Sequence, residues 1–147
     1  MLSVHQQSLH SSPPAPTTTE VGRVMTVDPV TAQQDLRLEE AQQLMTRAGI
    51  RHLPVLNGVR LVDVVTARDI ATYLSLARST GPMTLGEVMT AAPPYVCTPD
   101  TPLDIVARCL LATHAEAAVV VDDHDRVAGI FTTVDALRYV GGQLTAR

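Results

Sequence analysis

Apolar positions recur along the chain with two different periods. Leu38, Ala41, Leu44, Met45 and Ala48 follow a three-or-four spacing, and so do Leu103, Val106, Ala107, Leu110 and Leu111. Each series predicts an amphipathic helix with one core-facing stripe. Asp100 and Thr101 stand just before the second series, and Pro102 suits its first turn. Two β-branched runs come after each helix: Arg51–Leu56 with Leu61–Val65, then Glu116–Val121 with Val127–Phe131. Such nearly continuous runs predict strands covered on both faces. Asn57 and Gly58 predict a tight turn in the first hairpin, and the acidic stretch Asp122–Asp125 a longer one in the second. Helical spacing returns over about 67–78 and about 133–141. Short apolar stretches, Val30-Thr31 and Tyr95-Val96-Cys97, predict one further strand ahead of each amphipathic helix.

The same order of elements occurs twice, so the chain is an internal repeat. Val21-Gly-Arg-Val-Met-Thr26 returns 64 residues later as Leu85-Gly-Glu-Val-Met-Thr90. The pattern predicts an α+β protein with two β-α-β-β-α copies, one over 21–80 and one over 84–141, joined near Arg78–Pro82. A copy of about 60 residues buries little by itself, so the two are expected to pack sheet to sheet. Residues 1–20, rich in Ser, Thr, Pro and Gln, read as a disordered tail.

Composition removes several function classes. The net charge is −4, and all eleven basic residues are Arg, without a basic cluster. With aromatics at 3%, neither an electrostatic nor a stacking surface for nucleic acid is expected. The first basic residue is Arg23, and no apolar run approaches the roughly 18 residues of a membrane span. Neither a secretory signal nor a membrane role is therefore expected. Two cysteines, Cys97 and Cys109, form neither a disulfide framework nor a metal spacing, which fits the reducing cytoplasm. The Lys-free, Ala- and Arg-rich usage suits a GC-rich bacterial genome.

The candidate chemistry lies where each copy closes. Thr66-Ala-Arg-Asp69 and Thr132-Thr-Val-Asp135 both run from a strand into a helix. Thr at the N-cap with Asp at the third position is first of all a helix cap. The same arrangement can also hold a ligand. A helix N-terminus with a hydroxyl suits a phosphate. A carboxylate three residues on offers two acceptors to the two donors of a ribose diol, a charge-assisted pair of roughly 1.5–3 kcal/mol. His52 has no second ligand at metal spacing and reads as a packed or ligand-rim side chain. Asp122–Asp125 lacks the Gly and distal Glu of a calcium loop and reads as a solvated turn. Met25, Met45 and Met89 read as packing on helical faces. Glu39 and Glu40 suit a helix start. No catalytic constellation, resident cofactor or metal site is implied.

The repeated Val-Met-Thr opening, the Arg51-His-Leu-Pro-Val55 strand and the two Thr-x-x-Asp endings resemble a pair of CBS domains, the Bateman module, over about 21–141. The resemblance implies two repeats related by a pseudo-two-fold axis. It further implies a stand-alone regulatory module whose clefts bind AMP, ADP, ATP or S-adenosylmethionine, in energy sensing or similar control. It places Asp69 and Asp135 on ribose and Thr66 and Thr132 on phosphate. Val30, Thr31, Tyr95, Val96 and Pro54 would frame adenine, and Arg51 would meet phosphate. Copy one departs from the family's pattern with Asp63 where Gly is usual, which would crowd a phosphate. Copy two departs with Ala115, Glu116 and Ala118 in place of Arg51, His52 and Pro54. The clefts are thus expected to be unequal, with at most one tight site. A homodimer through the helices and an unidentified protein target are the partners implied. The alternative is a ligand-free dimerisation or interaction scaffold of the same fold, with the Thr-x-x-Asp motifs as caps only.

Overall fold

Both predicted hairpins form, and each carries the same irregularity. The computed structural model describes residues 19–76, 81–88 and 93–145. In the first repeat, β2 (Ala32–Gln33) precedes helix α1 (Leu38–Ala48), strands β3 (His52–Asn57) and β4 (Arg60–Thr66), and helix α2 (Ala67–Leu76). In the second, β5 (Val96–Cys97) precedes α3 (Leu103–Thr113), β6 (Ala117–Val121), β7 (Val127–Thr132) and α4 (Thr133–Thr145). The antiparallel register places Leu53 opposite Val65 and Ala118 opposite Phe131. It shifts at Val55/Leu56 in one hairpin and at Val120/Val121 in the other. Gly58, at a φ of 65°, makes the short turn of the first hairpin possible.

One sheet has the order β2-β3-β4. The other has the order β1-β7-β6-β5, where β1 is Thr26–Val27 from the opening of the chain. The two repeats pack through these sheets about a pseudo-two-fold axis. Each helix buries the stripe its spacing predicts, with Leu38, Ala41 and Met45 inward on α1 and Leu103, Val106 and Leu110 on α3.

The opening segments are exchanged between the repeats. Val21 is fully buried in the second repeat's core, with Val106, Val120 and Phe131. Its N–H donates to the Thr101 carbonyl at 2.9 Å, and that of Gly22 to Pro99 at 2.9 Å. Leu85 and Val88, from the opening of copy two, are buried in the first repeat's core with Leu38, Leu53 and Ile70. The Leu85 N–H donates to Leu36 at 2.9 Å and that of Gly86 to Gln34 at 2.8 Å. Each physical core is therefore completed by sequence that belongs to the other copy.

Several boundaries move. The first strand is Ala32–Gln33, one step beyond Val30-Thr31, because parallel pairing sets Ala32 against Val55 and turns Ala32 inward. Pro102 is the extended N-cap of α3 and does not enter its first turn; it bridges to Glu20. Thr19 and Glu20, read as tail, are tied to α3: the Leu103 N–H donates to the Thr19 carbonyl at 2.8 Å. Helix α4 continues past 141 through Gly141 and Gly142 to Thr145. Met25 lies in a bend and on no helix, whereas Met45 packs in α1 as expected. The rest of the tail, residues 78–80 of the joint, and Met89 with Thr90 lie outside the described residues.

Candidate functional site

The antiparallel hairpin of the first repeat brings the start of β3 beside the end of β4, with His52 opposite Thr66. The Ala67 N–H donates to the Arg51 carbonyl at 2.9 Å, which fixes the first turn of α2 against Arg51. The second repeat repeats this tie, from the Thr133 N–H to the Glu116 carbonyl at 3.1 Å. The two strand starts meet across the pseudo-two-fold axis, where His52 Nε2 lies 3.2 Å from Glu116 Oε2. His52 is thus a rim residue paired with its counterpart 64 positions on.

A cleft of about 1090 Å3 opens over this junction. The first repeat lines it with Arg51, Asp63, Thr66, Arg68 and Asp69, and the second with Pro93, Pro94, Tyr95, His114 and Thr133. Of the residues singled out in the sequence, Thr66, Asp69, Arg51 and Tyr95 are brought together here. Pro54 is buried in β3 opposite Val64; Val64 lines the cleft and Pro54 does not. Val30 packs on the first core, and Thr31 lines a separate hollow of about 260 Å3 near Gly58 and Arg126. Val96 lies on β5, parallel to Val119, and does not line the cleft. Thr132 and Asp135 line neither opening.

Among the described residues the two Thr-x-x-Asp motifs differ in what they hold. Both close a capping box. The Thr66 N–H donates to Asp69 Oδ2 at 3.3 Å, and the Asp69 N–H to Thr66 Oγ1 at 3.0 Å. Among the described residues Asp69 Oδ1 accepts no hydrogen bond, and neither Arg51 nor Arg68 makes an ion pair. Asp135 is 8% exposed and fully engaged. Its Oδ2 accepts from the Thr132 N–H at 2.9 Å and hydroxyl at 3.1 Å. Its Oδ1 accepts from the Thr26 hydroxyl at 3.4 Å and lies 3.6 Å from Arg138.

Two cysteines tune the far wall. Burial and the neighbouring Cys109 push the Cys97 thiol up to about 11. Tyr95 is raised well above its ordinary range, first by burial and then by its hydrogen bond to Cys109. On the second hairpin turn, Asp122, Asp123 and His124 lie close enough to share an ion. Asp122 is occupied as a turn residue, accepting N–H bonds from His124 and Arg126 at 2.9 Å each. Those donors hold its carboxyl below the usual range.

The sequence reading missed Arg68, Thr133 and the Pro93-Pro94 pair as wall residues. Arg68 and Thr133 carried a signal, since both stand in the first turn of a helix that a Thr-x-x-Asp motif begins. No local pattern marks the prolines.

The fold and this cleft define a two-repeat module of the kind the duplicated motifs suggest. The model of the CBS domain family matches residues 21–76 and 85–142. The chain belongs to the CBS domain family and carries two copies of the domain. It is similar to the CBS domain pair of protein MJ0100, solved in complex with 5′-methylthioadenosine and S-adenosyl-L-methionine: 31% identity, TM-score 0.76, 86% of this chain and 98% of that one covered. It is also similar to CBSX2 in complex with AMP, at 27% identity and TM-score 0.71, over 87% of this chain and 98% of that one. L-aspartate semialdehyde sulfurtransferase of Methanocaldococcus jannaschii is 32% identical over 126 residues, 85% of this chain and 24% of that protein. The chain thus spans about a quarter of the length of the first curated relatives it matches. Among the described residues no helix is long and apolar enough to cross a membrane.

Proposed function

We propose that the chain is a regulatory, non-catalytic module that binds an adenosine-containing ligand in the cleft beside Asp69. The observation that carries this reading is the cleft of about 1090 Å3 that sets Thr66 and Asp69, at the first turn of α2, beside Arg51 and Arg68. Asp69 would take the ribose diol and the α2 amides with Thr66 a phosphate. Tyr95 and the adjoining prolines would cover the base. Asp63 pairs with Val55, three residues down the strand from Thr66. At about 3.3 Å per residue its backbone lies some 10 Å from the helix start, on the wall of the same cleft. The solved neighbours that hold S-adenosyl-L-methionine, 5′-methylthioadenosine or AMP support an adenosyl ligand of this size. A ligand touching both repeats would favour one packing of the pair over another, and that difference is the regulatory output.

The test is thermal melting with AMP, ADP, ATP and S-adenosylmethionine. At least one raises the midpoint, as a native-state ligand must. Asp69→Ala loses the rise and Asp135→Ala keeps it. Flat responses to all four at millimolar ligand would leave the scaffold reading. That reading has its own support: Leu76, Leu111, Leu137 and Val140 are apolar and more than half exposed. We propose that these helix faces pair two copies into a homodimer, checked by the mass in sedimentation equilibrium and its fall in Leu137→Glu.

A further inference from the structure

We propose that His114 is a ligand contact supplied by the second repeat, and that its left-handed backbone is retained for that contact. The proposal rests on the adenosyl reading of the Asp69 cleft and adds the group that meets the ligand from the other side. Helices α1 and α3 occupy matching places in the two repeats, and each is followed by a left-handed residue. After α1 that residue is Gly49, at φ 65° and ψ 32°. Glycine takes this state without a conflict at Cβ. A Cβ built on Gly49 meets nothing within 4 Å, so the backbone state and not crowding favours glycine there. After α3 the matching residue is His114, at φ 55° and ψ 22°. Its side chain is exposed, so burial of apolar surface does not account for it. Among the described residues the imidazoles of His52 and His124 have carboxylate partners, and that of His114 has none. A costly backbone state with no contact to offset it points to function.

The place of His114 supports this. It lines the cleft with Pro94 and Tyr95 on the second repeat's side, across from Thr66 and Asp69 on the first repeat's side. The last turn of α3 and Tyr95 are joined: the Thr113 hydroxyl donates to the Cys109 carbonyl at 2.7 Å, and the Cys109 thiol is hydrogen-bonded to Tyr95. The residue that follows Thr113 is therefore carried on a braced corner. An imidazole there can donate or accept a hydrogen bond, or lie against a flat base. A ligand held by Asp69 on one side and His114 on the other spans the two repeats. That span is what lets a ligand favour one packing of the pair over another.

Two measurements on the full chain test it. The first is calorimetric titration with AMP and with S-adenosyl-L-methionine, on the unsubstituted chain, His114→Gly and His114→Ala. Alanine keeps the Cβ and its backbone cost, so His114→Ala removes the ring alone. Both variants are expected to bind the compound that the unsubstituted chain takes about threefold to tenfold more weakly, as the loss of one hydrogen bond predicts. In urea without ligand, His114→Ala is expected to keep the unsubstituted midpoint. Unchanged affinity in either variant overturns the proposal, and so does a lowered midpoint in His114→Ala, which would make the ring a support of the fold. The second measurement follows the imidazole signals by NMR, with His114→Ala assigning that of His114. Saturating ligand is expected to shift the His114 signal while that of His124, on the second hairpin turn, holds; an unmoved His114 signal overturns the contact. If the unsubstituted chain takes neither compound, the adenosyl reading falls and this assignment falls with it, whereas binding that ignores residue 114 overturns the assignment alone.

Discussion

The two aspartates at the helix starts share a sequence motif and differ in energetic role. Among the described residues Asp69 bonds only within its own cap, whereas Asp135 ties Thr132, Thr26 and Arg138 together from a nearly buried position. Losing a cap costs about 1 kcal/mol. Removing a buried carboxylate that satisfies several donors costs about 3 kcal/mol, because those donors are left unpaired. Asp135→Ala is therefore expected to lower stability in urea at least twice as much as Asp69→Ala. The motif was legible in the sequence, and its capping chemistry follows from spacing alone. That Asp135 also holds Thr26 was not, because Thr26 lies more than a hundred residues away along the chain. Cys97 allows a second test at this scale. Its thiol ordinarily titrates at 9.0 and is held up to about 11 in the fold. Above pH 9 the unfolded chain releases this proton and the folded chain does not, so stability present below pH 9 is lost as pH rises toward 11. Tyr95 acts in the same direction. Urea midpoints at pH 8 and pH 10.5 should show the loss, and Cys97→Ala should reduce it.

Helices and hairpins were the most legible elements, since each is set by residues close in sequence. Asn57-Gly58 determines the first turn, and the α1 and α3 stripes bury the side chains their spacing selects. Helix ends were less legible, because a cap is a backbone state. Helices α1 and α3 are both eleven residues long and both end on a left-handed residue. For α1 that residue is Gly49 at a φ of 65°, and for α3 it is His114 at 55°. Glycine adopts this conformation without a Cβ conflict, whereas a side chain there costs roughly 1 kcal/mol. His114 sits on the wall of the open cleft, which gives a strained residue a place at the candidate site. His114→Gly is expected to raise stability by about 0.5–1 kcal/mol in chemical denaturation, despite the added freedom of the unfolded chain. An unchanged or lowered midpoint would mean that the imidazole makes up the backbone cost through its own contacts.

At the scale of the whole molecule, the repeat in sequence and the repeat in space do not coincide. A reading of the chain divides it before Val21 and near 80, because the Val-Met-Thr openings look like the first segment of each unit. The packing divides it elsewhere, because a buried residue belongs to the core it fills. Val21 fills the second core, and Leu85 and Val88 fill the first. No local pattern reports this exchange; it follows from which hydrophobic surface each opening reaches once both hairpins exist. The exchange makes the two halves mutually dependent, since each opening straps one repeat to the other. A fragment of 21–80 would carry Val21 with nothing to cover and would lack Leu85 and Val88, so its core would be open to water. A fragment of 28–88 keeps the whole first cluster from Ala32 to Val88, including the tie of Leu85 to Leu36. At about 60 residues both are near the lower limit for independent folding, so one missing side of a core decides the outcome. The 28–88 fragment is expected to melt cooperatively by circular dichroism and the 21–80 fragment to show no transition. The reverse result would mean that the sequence repeat, and not the exchanged one, is the unit that folds.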